Sequence, residues 1–250
     1  YSLKRAHLCE DRKEMEKELE KLNLPKDFKL LITGGGRVGK GALEVIAKTN
    51  IQKVSPEDFL VKEFNFPVYT QLDVEDYVSR EDNKSFDKSA FFKDPTGHSS
   101  TFMKYAKVAD LYVACHYWDN RSPFIFTRKD MQHPNWNISV VADVSCDIDG
   151  PVACTLRPST IANPFYGYDP KSQKEVDFLS VNTVGVMAVD NLPCELPKDA
   201  SFEFGKMFIE HVLEPLTGND PEDIIYRASE TINGKLTPHF DYLSDYLEGK

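Results

Sequence analysis

The sequence predicts an α/β fold: a doubly wound, mostly parallel sheet with flanking helices and a C-terminal helical segment. Three observations carry that expectation. Short apolar runs of strand length recur at Lys29–Thr33, Leu111–Tyr117 and Ile138–Val144. The stretches between them are long enough to hold crossover connections, which parallel strands require. A glycine cluster also sits directly between the first run and an amphipathic helix. With 41% hydrophobic and 28% charged residues in 250, the chain has ordinary globular composition and enough apolar mass for one large or two modest domains.

In chain order, residues 9–22 (CEDRKEMEKELEKL) are dense in helix formers, with Met15, Leu19 and Leu22 as one apolar stripe, and Pro25 closes the segment. KLLIT (29–33) reads as a buried strand. Arg37–Thr49 reads as a helix with Val38, Ala42, Val45 and Ile46 on one face, and Ile51–Val54 as the second strand of a βαβ unit. Residues 63–105 show little periodicity; a strand is expected near Pro67–Gln71 and helices near 86–93 and 99–107. After the two strong strands comes a polar, Pro- and Gly-containing segment, Pro151–Tyr168, expected to be a loop at the sheet edge. Another strand-like run lies within 178–190. Beyond Pro197 an amphipathic helix runs to near Pro215, and a polar linker at Gly218–Pro221 leads to two final helices. The expected organisation is a connecting helix (1–25), a central α/β domain (26–196) and C-terminal helices (197–250).

The motif that carries chemistry is Gly34-Gly35-Gly36-Arg37-Val38-Gly39, a G-x-G-x-x-G directly after a strand and before a helix. Each glycine has a task. Gly34 permits a tight turn, Gly36 lets backbone approach a pyrophosphate, and Gly39 lets helix and strand pack closely. The helix N-terminus then presents free N–H groups to the phosphates. The pattern is that of a Rossmann-type domain binding NAD or NADP. A rival reading, G-x-x-x-x-G-K, fails because Gly41 stands where a P-loop needs a hydroxyl for Mg²⁺. An acidic residue should meet the adenosine ribose of NAD, and Glu57 is the candidate. Ser55, Lys53 and Lys62 nearby leave room for a 2′-phosphate, so the choice between NAD and NADP stays open.

A formal net charge of −10 argues against nucleic-acid binding, which needs clustered cations. No apolar run reaches the roughly 20 residues of a membrane helix, and the five cysteines show no C-x-x-C pair. The histidines lack metal-ligand spacing, so no metal site is expected. Reduced thiols and no signal-peptide pattern suggest a cytoplasmic protein.

The second half carries a more specific set: VVAD followed by Val144-Ser145-Cys146-Asp147, then Asn163-Pro164-Phe165, Tyr168-Asp169, Asp190-Asn191-Leu192-Pro193 and Glu195-Leu196-Pro197. With GGGRVGKGALEVI, HYWDNRSPFIFTRKDM and NGKLTPHFDYL, this set resembles the lysine–2-oxoglutarate reductase (saccharopine-forming) family, whose wider relatives include saccharopine and alanine dehydrogenases. The resemblance implies reductive condensation of lysine with 2-oxoglutarate, with the dinucleotide supplying hydride. It also implies that the catalytic Lys and His belong to a domain preceding the connecting helix. The chain is therefore expected to be the cofactor part of a longer enzyme whose substrates are an amino acid and a 2-oxo acid.

Asp147, by the same resemblance, is expected to face the nicotinamide. A loop-capping Asx turn is its alternative. His116 and Tyr117 end a strand at the ligand edge and are candidate cofactor contacts. Asn191, resembling a turn near the nicotinamide, is equally suited to a helix cap. Asp143 reads as a buried structural residue, and Arg157 as an exposed loop arginine rather than a carboxylate binder. An alanine-dehydrogenase-like enzyme and a non-catalytic dinucleotide-binding regulatory module are the competing functions.

Overall fold

The computed structural model describes residues 2–250 and divides them into two compact units, one ending at Glu195 and the other spanning Leu196–Lys250. The first begins with α1 (Arg12–Leu19), capped by the Asp11 carboxylate, which accepts the Glu14 N–H at 3.1 Å. The elements that follow are β1 (Lys29–Thr33), α2 (Arg37–Ile46), β2 (Gln52–Lys53), α3 (Pro56–Val61) and β3 (Val68–Leu72). Next come α4 (Val74–Tyr77), β4 (Val78–Arg80), α5 (Lys88–Lys93), β5 (His98–Ser100) and α6 (Met103–Ala106). The unit continues through β6 (Leu111–Ala114), β7 (Val140–Asp143), β8 (Phe165–Asp169), β9 (Lys174–Val176) and β10 (Val184–Met187).

Eight strands form one sheet in the order β2-β3-β1-β6-β7-β10-β8-β9. Pairings from β2 to β10 are parallel, and β10–β8 and β8–β9 are antiparallel. The predicted α/β class is thus borne out as a mostly parallel, Rossmann-like sheet. Two details differ from the expectation. The strand beside β1 is β3, with Leu31 opposite Thr70, while the 51–54 segment contributes only a two-residue edge strand beyond it. The expected loop at 151–168 ends in β8, which pairs back against β10. The first difference has a plain cause. Gln52 and Lys53 are both exposed, whereas Val68, Thr70 and Leu72 are buried, so the longer alternating segment takes the central place. Between β3 and β6, Val78–Arg80 and His98–Ser100 pair as a separate antiparallel ribbon.

Alternation along β1 divides the core. Leu30 and Ile32 join Ile46 and Cys115 on one face, with Ala42 and Leu43 of α2 packed against them. Leu31 joins the larger cluster on the other face, with Phe59, Phe102, Tyr112, Phe126 and Val141. Aromatic rings dominate that cluster: Phe102 lies 4.9 Å from Tyr112 and stacks on Phe126 at 5.6 Å, and Phe126 meets Trp136 at 4.9 Å.

Two polar groups of residues are sealed into the same unit. Asp143, wholly buried at the end of β7, accepts four hydrogen bonds: from Ser145 N, Ser145 Oγ and Cys146 N on one oxygen, and from Thr155 Oγ1 at 2.6 Å on the other. The structural reading of Asp143 agrees with this geometry. The Thr33 and Tyr112 hydroxyls share a hydrogen bond of 2.8 Å, and His116 Nδ1 lies 3.0 Å from Thr33 Oγ1. Burial lowers the His116 imidazole to about 4, against only partial compensation from the charge of Asp143.

The second unit holds α7 (Pro197–His211), α8 (Leu213–Thr217) and α9 (Ile224–Ala228), followed by a hairpin of β11 (Thr231–Ile232) and β12 (Lys235–Leu236). Between the two final helices, α9 and α10 (Ser244–Leu247), Asn233 and Gly234 take positive φ values of 51° and 75° and turn the chain back on itself. That is the two-residue turn Asn-Gly favours.

Two stability measurements follow. Phe102→Ala removes a fully buried ring from the aromatic cluster and is expected to cost about 3–5 kcal/mol in denaturant unfolding. For His116, the unfolded chain takes up a proton near its ordinary pKa of 6.5, whereas the folded protein does so only near 4. Stability should be complete above pH 6.5 and decline as pH falls towards 4, by up to about 3 kcal/mol. His116→Gln should flatten that part of the pH–stability curve.

Candidate functional site

The strand order reverses between β1 and β6, since the chain places β2 and then β3 on one side of β1 and afterwards sets β6 on the other. In open α/β sheets the carboxyl ends of strands at such a point form a crevice for ligands. A cavity of about 440 Å³ lies there. Its walls come from Gly34–Val38 after β1, Asp73 and Val74 after β3, and Cys115–Trp118 after β6. Tyr77, Phe91, Phe92, Pro123 and Ile125 are among the other residues that line it.

The glycine loop is built by close approach. Gly34 has φ +99°, and a Cβ there would stand 2.4 Å from the Cys115 carbonyl oxygen. A Cβ on Gly39 would stand 2.1 Å from the Gly34 carbonyl oxygen, so only glycine lets α2 lie this near the turn. The loop is also tied to β3: Gly34 N–H donates to Leu72 O at 3.2 Å, and Gln71 Nε2 donates to Gly34 O at 2.8 Å. Gly35 and Gly36 differ, because a Cβ on either would meet no protein atom within 4 Å. Gly36 caps α2 without a side chain, leaving first-turn N–H groups of a ten-residue helix directed at the open space. A dinucleotide pyrophosphate fits this cradle, which a side chain at Gly36 would fill.

Among the sequence-predicted residues, Gly34, Gly35, Gly36, Arg37, Val38, His116 and Tyr117 come together on this cavity, with Gly39 packed behind it. Arg37 and Val38 are exposed on the first turn of α2, and Tyr117 is 89% exposed. His116 is buried, and its Nε2 has no hydrogen-bond partner among the described residues. Burial, aided by the charge of Asp143, raises the Cys115 thiol to about 11, so it faces the site as a neutral group.

Three residues stand elsewhere. Glu57 is exposed in the first turn of α3, beyond the edge strand, and does not line the cavity. Asp73 does, immediately after the strand that neighbours β1. The sequence pointed to Glu57 instead, because Ile51–Val54 reads as the second strand of the βαβ unit. The alternating VYTQL run just before Asp73 was the available signal. Asp147 follows β7, half-buried, and its N-terminal neighbour Cys146 has φ 55°. Burial first, then the charge of Asp143, raises the Asp147 carboxyl above its usual range. Gly150 packs against it, since a Cβ there would be 2.7 Å from Asp147 Cβ. Asn191 lies exposed after β10, ahead of a short helix at Leu192–Glu195. Neither Asp147 nor Asn191 lines the cavity, though each follows the carboxyl end of a parallel strand.

Arg157 is engaged by Glu175 through two hydrogen bonds of 2.8 Å and lies over the Tyr166 ring, in line with a structural arginine. Among the described residues, no three His, Cys, Asp or Glu side chains cluster as a metal site would need, and no helix is long and apolar enough to cross a membrane.

No protein-family model matches the chain. Curated proteins do. An alpha-aminoadipic semialdehyde synthase of Arabidopsis thaliana is 27% identical over 236 residues, covering 85% of this chain and 22% of that protein. The mitochondrial alpha-aminoadipic semialdehyde synthase of Mus musculus is 27% identical over 252 residues, covering 88% of this chain and 27% of that protein. A saccharopine dehydrogenase [NAD(+), L-lysine-forming] of Emericella nidulans is 24% identical over 216 residues, covering 84% of this chain and 47% of that protein. The chain thus spans about a quarter of the length of the semialdehyde synthases and about half that of the dehydrogenase. The resemblance carried by the motifs holds across most of the sequence: the chain is similar to alpha-aminoadipic semialdehyde synthases and saccharopine dehydrogenases over 84–88% of its length.

Proposed function

We propose that this chain binds NAD(H) or NADP(H) and serves as the dinucleotide-binding part, centred on residues 26–196, of an oxidoreductase of the saccharopine-forming class. The observation that carries the reading is the cradle at Gly35 and Gly36, open to a cavity at the reversal of strand order and backed by the N-terminus of α2. The homologues' names support the class of chemistry, joining an amino acid to a 2-oxo acid or separating them.

In this reading the α2 N–H groups, with the Arg37 guanidinium beside them, hold the pyrophosphate. The nicotinamide, when bound, supplies or accepts the hydride. Tyr117 lies against the dinucleotide on the β6 side. Asp147 and Asn191 flank the nicotinamide end, where burial, and then the charge of Asp143, raises the Asp147 carboxyl above its usual range. Cys115 and His116 remain uncharged, so the floor of the site adds no competing charge.

Titration of the chain with NADH and NADPH, followed by nicotinamide fluorescence, tests the binding. At least one nucleotide should bind saturably. Gly36→Leu should weaken binding at least about thirtyfold by filling the phosphate space, with thermal melting nearly unchanged because that side chain meets no protein atom near its root. Absence of binding to the wild type would remove the proposal. The class of substrate is tested by nucleotide oxidation in the enzyme containing this chain. Turnover with lysine and 2-oxoglutarate supports the saccharopine-forming reading, and turnover only with pyruvate and ammonia would replace it with an alanine-dehydrogenase-like one.

A further inference from the structure

Asp147 belongs to a turn, residues 143–150, in which two residues take left-handed backbone: Cys146 at φ 55° and Asp149 at φ 50°. Neither is glycine, so the conformation persists only where surrounding bonds fix it. One residue fixes both ends. Thr155 Oγ1 donates to Asp143 Oδ2 at 2.6 Å, and Asp149 N–H donates to Thr155 O at 3.2 Å. The other Asp143 oxygen accepts Ser145 N–H, Ser145 Oγ–H and Cys146 N–H, so the first half of the turn folds around the carboxylate that Thr155 anchors. Gly150 closes the second half: its N–H donates to Asp147 O at 3.1 Å, and a Cβ on it would stand 2.7 Å from Asp147 Cβ.

Thr155 is itself held on both sides. It is wholly buried, and the Tyr166 hydroxyl accepts the Leu156 N–H at 3.0 Å while donating to Cys154 O at 3.0 Å. Tyr166 lies on β8, which pairs with β10. Just beyond β10, Ala188 O accepts the Cys146 thiol at 3.2 Å. The turn that carries Asp147 is thus bracketed by Thr155 and tied to the strand that leads to Asn191. Thr155 does not line the cavity.

We propose that Thr155 is a positioning residue: through its hydroxyl on Asp143 and its carbonyl on Asp149 it sets where Asp147 stands. The proposal rests on the dinucleotide reading above, which gives Asp147 its place at the nicotinamide end. A hydrogen bond to a charged acceptor is stronger than a neutral one, and removing its donor leaves a buried Asp143 oxygen unpaired. The turn folded around that carboxylate is what then shifts, and a misplacement of about 1 Å at a reacting group costs about a hundredfold in rate. The phosphate cradle is built from β1, α2 and β3 and has no part in this bracket, so nucleotide affinity does not follow it.

The experiment measures steady-state nucleotide oxidation in the enzyme containing this chain, with the amino acid and 2-oxo acid it turns over. It compares wild type, Thr155→Val, Thr155→Ser, Asp147→Asn and the double variant Asp147→Asn with Thr155→Val. Valine is close to threonine in shape and lacks the hydroxyl, and Thr155→Ala is the second variant should Thr155→Val fold poorly. Thr155→Val should lower kcat by about tenfold or more, with the KM for nucleotide within about twofold of wild type. Thr155→Ser keeps the hydroxyl and should recover kcat to within about threefold. In the Asp147→Asn background, Thr155→Val should cost less than about twofold, because the group it positions is already gone. An unchanged kcat in Thr155→Val, a loss that serine does not recover, or a full further loss in the Asp147→Asn background overturns the role while leaving the dinucleotide site standing. So does an Asp147→Asn enzyme as fast as wild type. Failure of wild type to bind either nucleotide overturns both.

Discussion

The distance between Gly39 and the carbonyl of Gly34 governs much of the first unit. With no Cβ in the way, the first turn of α2 settles onto the end of β1, and its apolar face reaches Leu30 and Ile32 through Ala42, Leu43 and Ile46. The same contact aims the helix N-terminus at the gap between β1 and β6 instead of at solvent. Gln71 then fixes the Gly34 carbonyl from the neighbouring strand, so loop, helix and β3 are set by one small cluster of contacts. The Gly35 and Gly36 cradle lies between the two ends of that cluster.

A second fixed point is the carboxylate of Asp143. Four donors converge on it, and all come from the segment just beyond β7. A buried acceptor this fully occupied holds a loop firmly because every broken bond would leave an unpaired group in low dielectric. The loop it holds carries Asp147, so the shape of the proposed nicotinamide end depends on a residue one strand-end away. The charge also reaches across the sheet, contributing to the raised Cys115 thiol and opposing the lowering of His116.

Much of this was legible in the sequence because it is local. KLLIT followed by three glycines and an amphipathic helix announces a strand, a turn and a helix through short-range sterics alone, and the cavity formed where that pattern places it. The neighbour of β1 was not legible. Residues 51–54 and 68–72 are both strand-like, and their order in the sheet depends on which one buries more of its length. That choice puts Asp73, and not Glu57, at the rim of the cavity. The separate β4–β5 ribbon and the return of β8 against β10 are likewise non-local. The Asn233-Gly234 hairpin is a different case: its turn signal is local and strong, and it lies between the two final helices that the sequence predicts. Asp147 and Asn191 were singled out by motif resemblance, and their placement beyond strand ends follows from the parallel run.

The two margins of the large sheet share a property with consequences beyond ligand binding. On one side the sheet stops at Gln52–Lys53, two exposed residues. On the other it stops at Lys174–Val176, whose Glu175 is clasped by Arg157. A sheet margin of unpaired N–H and C=O groups is a template on which another chain can grow as an added strand, and short, charged margins suppress that growth. Here each margin is too brief and too polar to nucleate it. The protein can therefore carry eight strands and a strongly apolar interior at high concentration without its own edges becoming the seed of an aggregate.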